Sequence, residues 1–346
     1  MTPRLSICIA TRNRASVLGP ALESLLKQCT DGVQIVVVDG ASTDDTQQVV
    51  TRLQDRHDCI RYVRRERNGG IDRDFDQAVV EASGEYCWLM SDDDVLVPGA
   101  VAKIMAYLES GPSLLVVNSE LRDSSLRTVI VPDRLRIGSD RTYARRETAR
   151  LFEDMSAYLS YIGAVVIRRE IWMARPRDPY YGSFFVHVGV IFGAPLPGVA
   201  IALAEPLIRV RFGNTQWRPK EFEIRMVRWT ELISQLHQVD VQLRARLYPS
   251  APWTSTKSLF FYRAKGTYGW HEYRAWVRPR ARGLRDRLRG ATIALFPGVA
   301  ANLLGLLYCS LPYRDSNVHF LDMKVSRFYL PNLLESMRKP AGGREG

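Results

Sequence analysis

Three consecutive carboxylates, Asp92, Asp93 and Asp94, follow Tyr86-Cys87-Trp88-Leu89-Met90-Ser91, a short apolar run that reads as a buried strand. Adjacent anions repel one another unless a cation or a donor-rich ligand sits among them. Carboxylate oxygens suit hard divalent ions such as Mg²⁺ or Mn²⁺. The acids also suit the start of a following helix, where the dipole favours negative charge and Pro98 is placed as a first helical residue. That would account for one or two of them; three at a strand end point to a metal site. Other polar groups end other strand-like runs: Thr11 and Arg12 follow Leu5–Ala10, and Asp39 follows Gln34–Val38. No GxGxxG follows the first run and no GxxxxGK[ST] occurs, which excludes a dinucleotide fingerprint and a P-loop.

The elements that position these groups alternate. Gln34–Val38 is nearly all apolar, as in a parallel strand covered on both faces. Helical stripes recur between the strands: Leu18, Leu22, Leu25 and Leu26; Val49, Val50 and Leu53; Phe75, Ala78, Val79 and Ala82; Val101, Ile104, Met105 and Leu108. Ile60–Val63 adds a third strand before the turn Asn68-Gly69-Gly70. The pattern predicts an α/β fold with a mostly parallel sheet, its polar strand ends converging on one edge, where open α/β sheets bind ligands.

Composition narrows the class. The 346 residues are 46% hydrophobic and 25% charged, so a packed core is expected. The net charge of +11 suggests an anionic partner such as nucleotide phosphate, a lipid surface or nucleic acid. From Arg274 onward 13 basic residues face 5 acidic ones, which places most of the excess in the tail. The five cysteines, an odd number without a CxxC pair, fit a reduced compartment and neither a disulfide framework nor a zinc site. The start lacks the basic-then-apolar pattern of a signal peptide, so a cytoplasmic location is expected.

Four segments in order carry a resemblance: Ile9–Arg14, Val36–Asp44, Asn68-Gly69-Gly70, and Gly84 through Gly99 with its acidic triplet. They resemble the landmarks of glycosyltransferase family 2, in particular the sugar transferases of bacterial O-antigen and capsule assembly, including abequosyltransferase-like members. The likeness covers residues 4–110 well and thins afterwards. It implies a GT-A fold and a nucleotide-diphospho-sugar donor held with Mn²⁺ or Mg²⁺. By position it implies that Thr11, Arg12, Asn13 and Asp39 contact the nucleotide, and that the triplet supplies the metal-binding element, with Asp93 and Asp94 as ligands and Asp92 toward the donor. Arg12 stands where the family often has an aromatic residue, and a guanidinium can still stack on a base. Ser91 replaces the usual first Asp. Asp39 can equally cap the turn that follows it, and Asp44 reads as a cap. Arg73, among the acids opening a helix, is a lesser phosphate candidate than a solvated side chain.

The middle should bind the acceptor. Leu114–Asn118 is a strand, residues 119–150 are polar and Arg-rich, and Tyr161–Arg169 reads as a further strand. Relatives often carry an acidic base in the next region, where this chain offers His187, with Asp178 upstream. A neutral imidazole can take a proton near neutral pH, yet Phe184, Phe185 and Val186 equally suit a buried histidine. Pro206–Asn214 reads as an edge strand on which Arg209 and Arg211 share a face. Arg211 could then address a diphosphate, or the pair could face solvent. In the tail, seven arginines between Arg274 and Arg289 precede the charge-free run Ile293–Leu311. Pro297-Gly298 leaves that run too short to cross a bilayer. Anchoring at an anionic membrane face, a core helix and a homodimer surface are the alternatives.

The expected organisation is a GT-A domain over residues 1–217, with a nucleotide half at 1–110 and an acceptor half at 111–217, followed by a helical, basic region at 218–346. The expected function is metal-dependent inverting transfer of a sugar to a hydroxyl of a lipid-linked or surface-polysaccharide glycan, polyprenyl-diphosphate-linked by the resemblance, at the inner face of the membrane. A sugar nucleotidyltransferase and a non-catalytic basic membrane-surface protein are the alternatives. Basic and aromatic residues do not interleave on a defined module, which argues against nucleic acid.

Overall fold

The computed structural model of the chain describes residues 2–310, 317–332 and 334. The chain divides into two units, Met1–Asn214 with Glu231–Leu247, and Thr215–Thr230 with Tyr248–Gly346.

The first unit is built on one large sheet. Its strands are β1 (Leu5–Thr11), β2 (Val33–Asp39), β3 (Ile60–Arg64), β4 (Tyr86–Met90), β5 (Val95–Leu96), β6 (Leu114–Arg122), β7 (Val129–Val131), β8 (Arg141–Tyr143), β9 (Val165–Arg168) and β10 (Ala200–Arg211). The order is β3-β2-β1-β4-β9-β6-β10-β5, with β7 beside β6 and β8 beside β10. The long pairings β1–β2, β2–β3, β1–β4 and β6–β10 are parallel. The antiparallel ones through β9, β5, β7 and β8 are short. β1 and β4 are buried along their whole length, as expected of strands covered on both faces.

Helices α1 (Ala15–Leu26), α2 (Thr46–Gln54), α3 (Ile71–Glu81) and α4 (Ala100–Leu108) return the chain between the first strands, and α5 (Thr148–Met155), α6 (Arg169–Ala174) and α7 (Val186–Phe192) follow. Leu18, Leu22 and Leu25 of α1 and Val101, Ile104 and Leu108 of α4 pack with Ile7, Ile9, Trp88 and Met90 in one core. Gly70 caps the start of α3, and its φ of 87° favours glycine.

Two sequence expectations change. The segment read as a strand from Tyr161 is a 3₁₀ turn, Ile162–Ala164, before the short β9. The Trp88 indole donates to the Gly163 carbonyl at 2.9 Å, which fixes that turn over β4. The segment read as an edge strand at 206–214 belongs to β10, which lies inside the sheet between β6 and the short β5 and β8.

In the second unit, Phe222, Met226, Leu259, Tyr268, Tyr273 and Ile293 form a core. Lys265 is nearly buried and pairs with Glu221 and, at 3.0 Å, with Asp322. Among the described residues no single helix is long and apolar enough to cross a membrane, and Leu311, the end of the charge-free run, lies outside them.

β1 and β4 meet closely at their start. The Gly84 N–H donates to Ser6 Oγ at 2.9 Å, and a Cβ at Gly84 would lie 2.7 Å from the Ser6 backbone nitrogen. Gly84→Ala is therefore expected to destabilise the fold by about 1–3 kcal/mol through overpacking. The check is a denaturant titration; an unchanged midpoint would mean that the two strands part without penalty.

Candidate active site

The chain runs from β1 to β2 and β3 on one side, then crosses back to β4 on the other, so the strand order reverses between β1 and β4. That switch point opens a crevice at the carboxyl ends of the strands. Thr11 ends β1 opposite Asp39, which ends β2. Across the crevice, Thr11 Oγ1 donates to Asp92 Oδ2 at 2.8 Å.

Arg14 is the residue that sequence reasoning missed here. It follows β1, is 9% exposed, and turns its guanidinium onto the triplet. Nε donates to Asp92 Oδ1 at 3.2 Å, Nη2 pairs with Asp93, and Nη1 donates to the Asn214 carbonyl at 2.9 Å. The Asn214 amide reaches Asp93 Oδ2 at 3.3 Å, and Ser91 Oγ donates to Asp93 Oδ1 at 2.6 Å. Asp94 accepts from the Tyr161 hydroxyl at 2.5 Å and from the Arg211 backbone N–H at 3.1 Å. Arg211 also donates through Nε to the Asp93 carbonyl at 3.2 Å. Arg211 is thus at the triplet, whereas Arg209 pairs with Glu120 at 3.1 Å.

The electrostatics follow from crowding. Burial, then the Asp93 charge, raise Asp94 to about 7 against the opposing Tyr161 hydroxyl and Arg211 N–H. Burial, assisted by Asp93, raises Asp92 to about 6 although Arg14 and Thr11 pull the other way. One guanidinium therefore leaves negative charge to be balanced. Among the described residues no group of three His, Cys, Asp or Glu side chains forms a closed metal cage. Divalent ions in phosphate sites take one or two carboxylates and complete their shell with phosphate and water oxygens. The donor set of Asp93 and Asp94 fits a cation shared with phosphate in that way.

The β2 end is more heavily committed. Asp39 is fully buried; its Oδ1 accepts the Ser42 N–H at 2.8 Å and its Oδ2 the Tyr62 hydroxyl at 2.7 Å. Burial and that carboxylate push the Tyr62 hydroxyl well up. Asn13, with φ 55°, accepts the Thr43 N–H at 2.7 Å, and Asp44 accepts those of Ala15 and Thr46, so the two loops are tied together. Arg12 is exposed beside them. Gly40 matters by its smallness: a Cβ there would lie 2.5 Å from Asp74 Oδ2. Asp74, buried on α3 and raised to about 6 mainly by burial, thus stands in the corner of Gly40, Arg12 and Asp39, with Arg65 3.4 Å away. The glycine after Asp39 was its only sequence signal.

The segment leading into α7 is held by α3. Asp72 accepts three backbone N–H groups, from Gly182 and Phe184 at 2.9 Å and from Val186 at 3.0 Å. Asp76 accepts the Trp172 indole at 2.8 Å, lies 2.9 Å from Arg177 and takes the Tyr181 hydroxyl. The helix-opening acids are therefore structural clamps rather than a solvated face. Arg73 is exposed and lies 4.2 Å over the Tyr181 ring. Asp178 is exposed and opens the turn Asp178–Tyr180. His187 is 1% exposed; its Nε2 meets the Leu159 carbonyl at 2.7 Å and its Nδ1 is buried without a hydrogen-bond partner. Burial lowers its pKa to about 4.

Comparison with known proteins agrees with this geometry. Residues 6–170 match the model of the family described as Glycosyl transferase family 2. Abequosyltransferase RfbV of Salmonella typhimurium is 24% identical over 274 residues, which cover 73% of this chain and 82% of that protein. The GalNAc(5)-diNAcBac-PP-undecaprenol beta-1,3-glucosyltransferase of Campylobacter jejuni is 35% identical over 114 residues, 32% of this chain and 36% of its own. Among solved structures, S. aureus TarS 1–349 in complex with UDP superposes with a TM-score of 0.58 at 17% identity, covering 93% of this chain and 90% of that one. The mannosyltransferase PcManGT from Pyrobaculum calidifontis, in complex with GDP-Man and Mn²⁺, gives 0.53 at 15% identity, covering 97% and 88%. These last two likenesses show the fold, which is GT-A. The family pattern lies over the strands that build the crevice, so residues 6–170 are similar to glycosyltransferase family 2, and the chain is a glycosyltransferase.

Proposed function

We propose that the chain transfers a sugar, with inversion, from a nucleotide-diphospho-sugar to a hydroxyl of a polyprenyl-diphosphate-linked glycan, in a metal-dependent reaction at the inner face of the membrane. The observation that carries the donor half is the acidic triplet at the β1–β4 switch point, with Arg14 and Arg211 on it. Support for the acceptor half comes from the Campylobacter relative, a glucosyltransferase named for a GalNAc(5)-diNAcBac-PP-undecaprenol acceptor.

In inversion the acceptor oxygen attacks the anomeric carbon as the bond to the nucleoside diphosphate breaks. The diphosphate leaves with that electron pair, and a base takes the hydroxyl proton. A divalent ion held by Asp93 and Asp94 would supply charge neutralisation to the departing diphosphate. Arg211 is placed to add positive charge there, while Arg14 keeps Asp92 and Asp93 oriented. Thr11, Arg12, Asn13 and Asp39 are the nucleotide-side residues of this reading, with Asp39 acting through the loop it braces.

For the base we favour Asp178 over His187. The free lone pair of His187 sits on the sealed Nδ1 when Nε2 donates to the Leu159 carbonyl. Asp178 is exposed, and the loop after it is tied through Asp72 to the first turn of α3, beyond the carboxyl end of β3.

Asp93→Asn is expected to abolish transfer and to remove the Mn²⁺-dependent part of the melting shift given by nucleotide sugars, while leaving the ligand-free melting temperature near that of wild type. Full turnover in that variant, or in excess chelator, would overturn metal dependence. A panel of nucleotide sugars in the same assay tests the donor class itself.

Asp178→Asn should lower kcat by on the order of a hundredfold with donor binding little changed. His187→Gln is read out through stability. Its folded pKa of about 4 lies below the ordinary 6.5. The unfolded chain therefore binds the extra proton in that window, and the contribution is present above pH 6.5 and lost as pH falls toward 4. His187→Gln should flatten this part of the stability profile and keep most of the turnover. Loss of turnover with an unchanged pH profile would return the base to His187.

A further inference from the structure

The charge-free run of the tail is divided between two faces. The helix Leu284–Leu295 bends by 94° into the helix Gly298–Cys309. Gly290, Ile293 and Ala294 of the first are buried, as are Gly298, Ala301, Asn302, Gly305 and Cys309 of the second. The small residues are needed there: a Cβ at Gly305 would stand 3.1 Å from Met323 Sδ and 3.2 Å from Ala264 Cβ. Six of the seven leucines point the other way, while Ile293 and Leu306 pack inward. Leu284 is 72% exposed and Leu307 64%, and Leu288, Leu295, Leu303 and Leu304 are exposed with them.

Spacings of four and seven put Leu284, Leu288 and Leu295 on one stripe of their helix. Arg285 and Arg287 flank that stripe on its two sides, and Arg282 just precedes it. All three are exposed and make no ion pair among the described residues, whereas Arg289 folds back on Asp286. Leucines on the outward face with arginines along the margins are the pattern of a helix lying in a membrane interface, the arginine stems covering apolar surface and their heads meeting phosphate. Each helix has 12 residues, roughly 18 Å at 1.5 Å per residue, short of the ~30 Å hydrocarbon layer.

We propose that this outward leucine face, bordered by Arg282, Arg285 and Arg287, docks in the plane of an anionic lipid surface. Its role rests on the lipid-linked acceptor proposed above, because docking there would keep the enzyme on the surface that holds such an acceptor. The arginines select the occupant: a second copy of this chain would set arginine against arginine along the same margin, whereas anionic headgroups complement them.

The test is flotation of the full chain with vesicles of phosphatidylglycerol and phosphatidylethanolamine, and with pure phosphatidylcholine. Wild type should bind the anionic vesicles, and less as salt rises. Leu288→Ser with Leu304→Ser and Leu307→Ser should weaken partitioning by at least about tenfold, because those side chains lose their apolar transfer term. Arg285→Gln with Arg287→Gln should remove most of the preference for anionic over neutral vesicles. No vesicle binding by wild type, binding unchanged in the serine variant, or a wild-type dimer that the serine substitutions dissociate would overturn the proposal, the last by assigning the face to a second copy. The melting shift with nucleotide sugars separates the two readings. Wild type that shifts with donor yet ignores vesicles loses only the docking face; wild type that binds vesicles and no donor loses the transferase reading of the site.

Discussion

Three carboxylates at one strand end repel one another, and the Arg14 guanidinium across Asp92 and Asp93 is the interaction that makes their closeness compatible with a packed sheet. Its geometry constrains much else. Arg14 must leave β1 pointing back over the crevice, which the left-handed Asn13 allows and the hydrogen bond from the Arg14 backbone N–H to Thr46 Oγ1 fixes at 3.0 Å. It must also be met from the far end of the domain, where Asn214 accepts from one nitrogen and donates to Asp93. The end of β10 is thereby fastened to the ends of β1 and β4. A carboxylate site made in this way is neither a closed metal cage nor a plain ion pair, since neutral donors from Thr11, Ser91, Tyr161 and Arg211 satisfy the oxygens that Arg14 does not reach.

A second economy of charge lies in α3. Asp72 and Asp76 are buried, yet they do not sit at the acidic triplet. They accept backbone and side-chain donors from residues 172–186, so the first turns of α3 hold the loop that leads into α7. Helix-dipole stabilisation accounts for an acid at Asp72, in the first turn, but not at Asp76. It does not account for the burial of either, which the donors from the loop make tolerable. The loop after β2 and the loop leading into α7 are thus braced from the same short helix, one through Asp74 beside Gly40 and the other through Asp72.

Much of the sheet was legible in the sequence because β1, β2 and β4 are nearly unbroken apolar runs, and a buried parallel strand leaves no other signature. Convergence of Thr11, Asp39 and the triplet on one edge followed from parallelism alone. Contacts of long range did not show. Arg14 meets a carbonyl 200 residues away, and nothing local distinguishes it from the exposed Arg12 two positions earlier. Arg209 and Arg211 share a face by strand period, as read, but period says nothing of partners. One is neutralised by Glu120 and the other runs to the backbone of the acid triplet. His187 illustrates the same limit: its position in the chain suggested chemistry, while its burial against the Leu159 carbonyl depends on an element 28 residues before it.

The tail shows why an average over a window misleads where a helix has two apolar faces. Residues 293–310 carry no charge, so hydropathy treats them as one object. Within Gly298–Cys309 helical periodicity separates the side chains largely by size rather than polarity. Glycine, alanine, asparagine and cysteine go inward, because Met323 and Ala264 approach closely enough to leave no room for a leucine. Leu303, Leu304 and Leu307 are displaced outward, while Leu306 packs partly against the inner cluster. In an ordinary core helix the largest apolar residues are the most buried. Their reversal here means that the internal packing of the second unit was met with small side chains, and that the apolar area of the leucines is left for an environment other than the core.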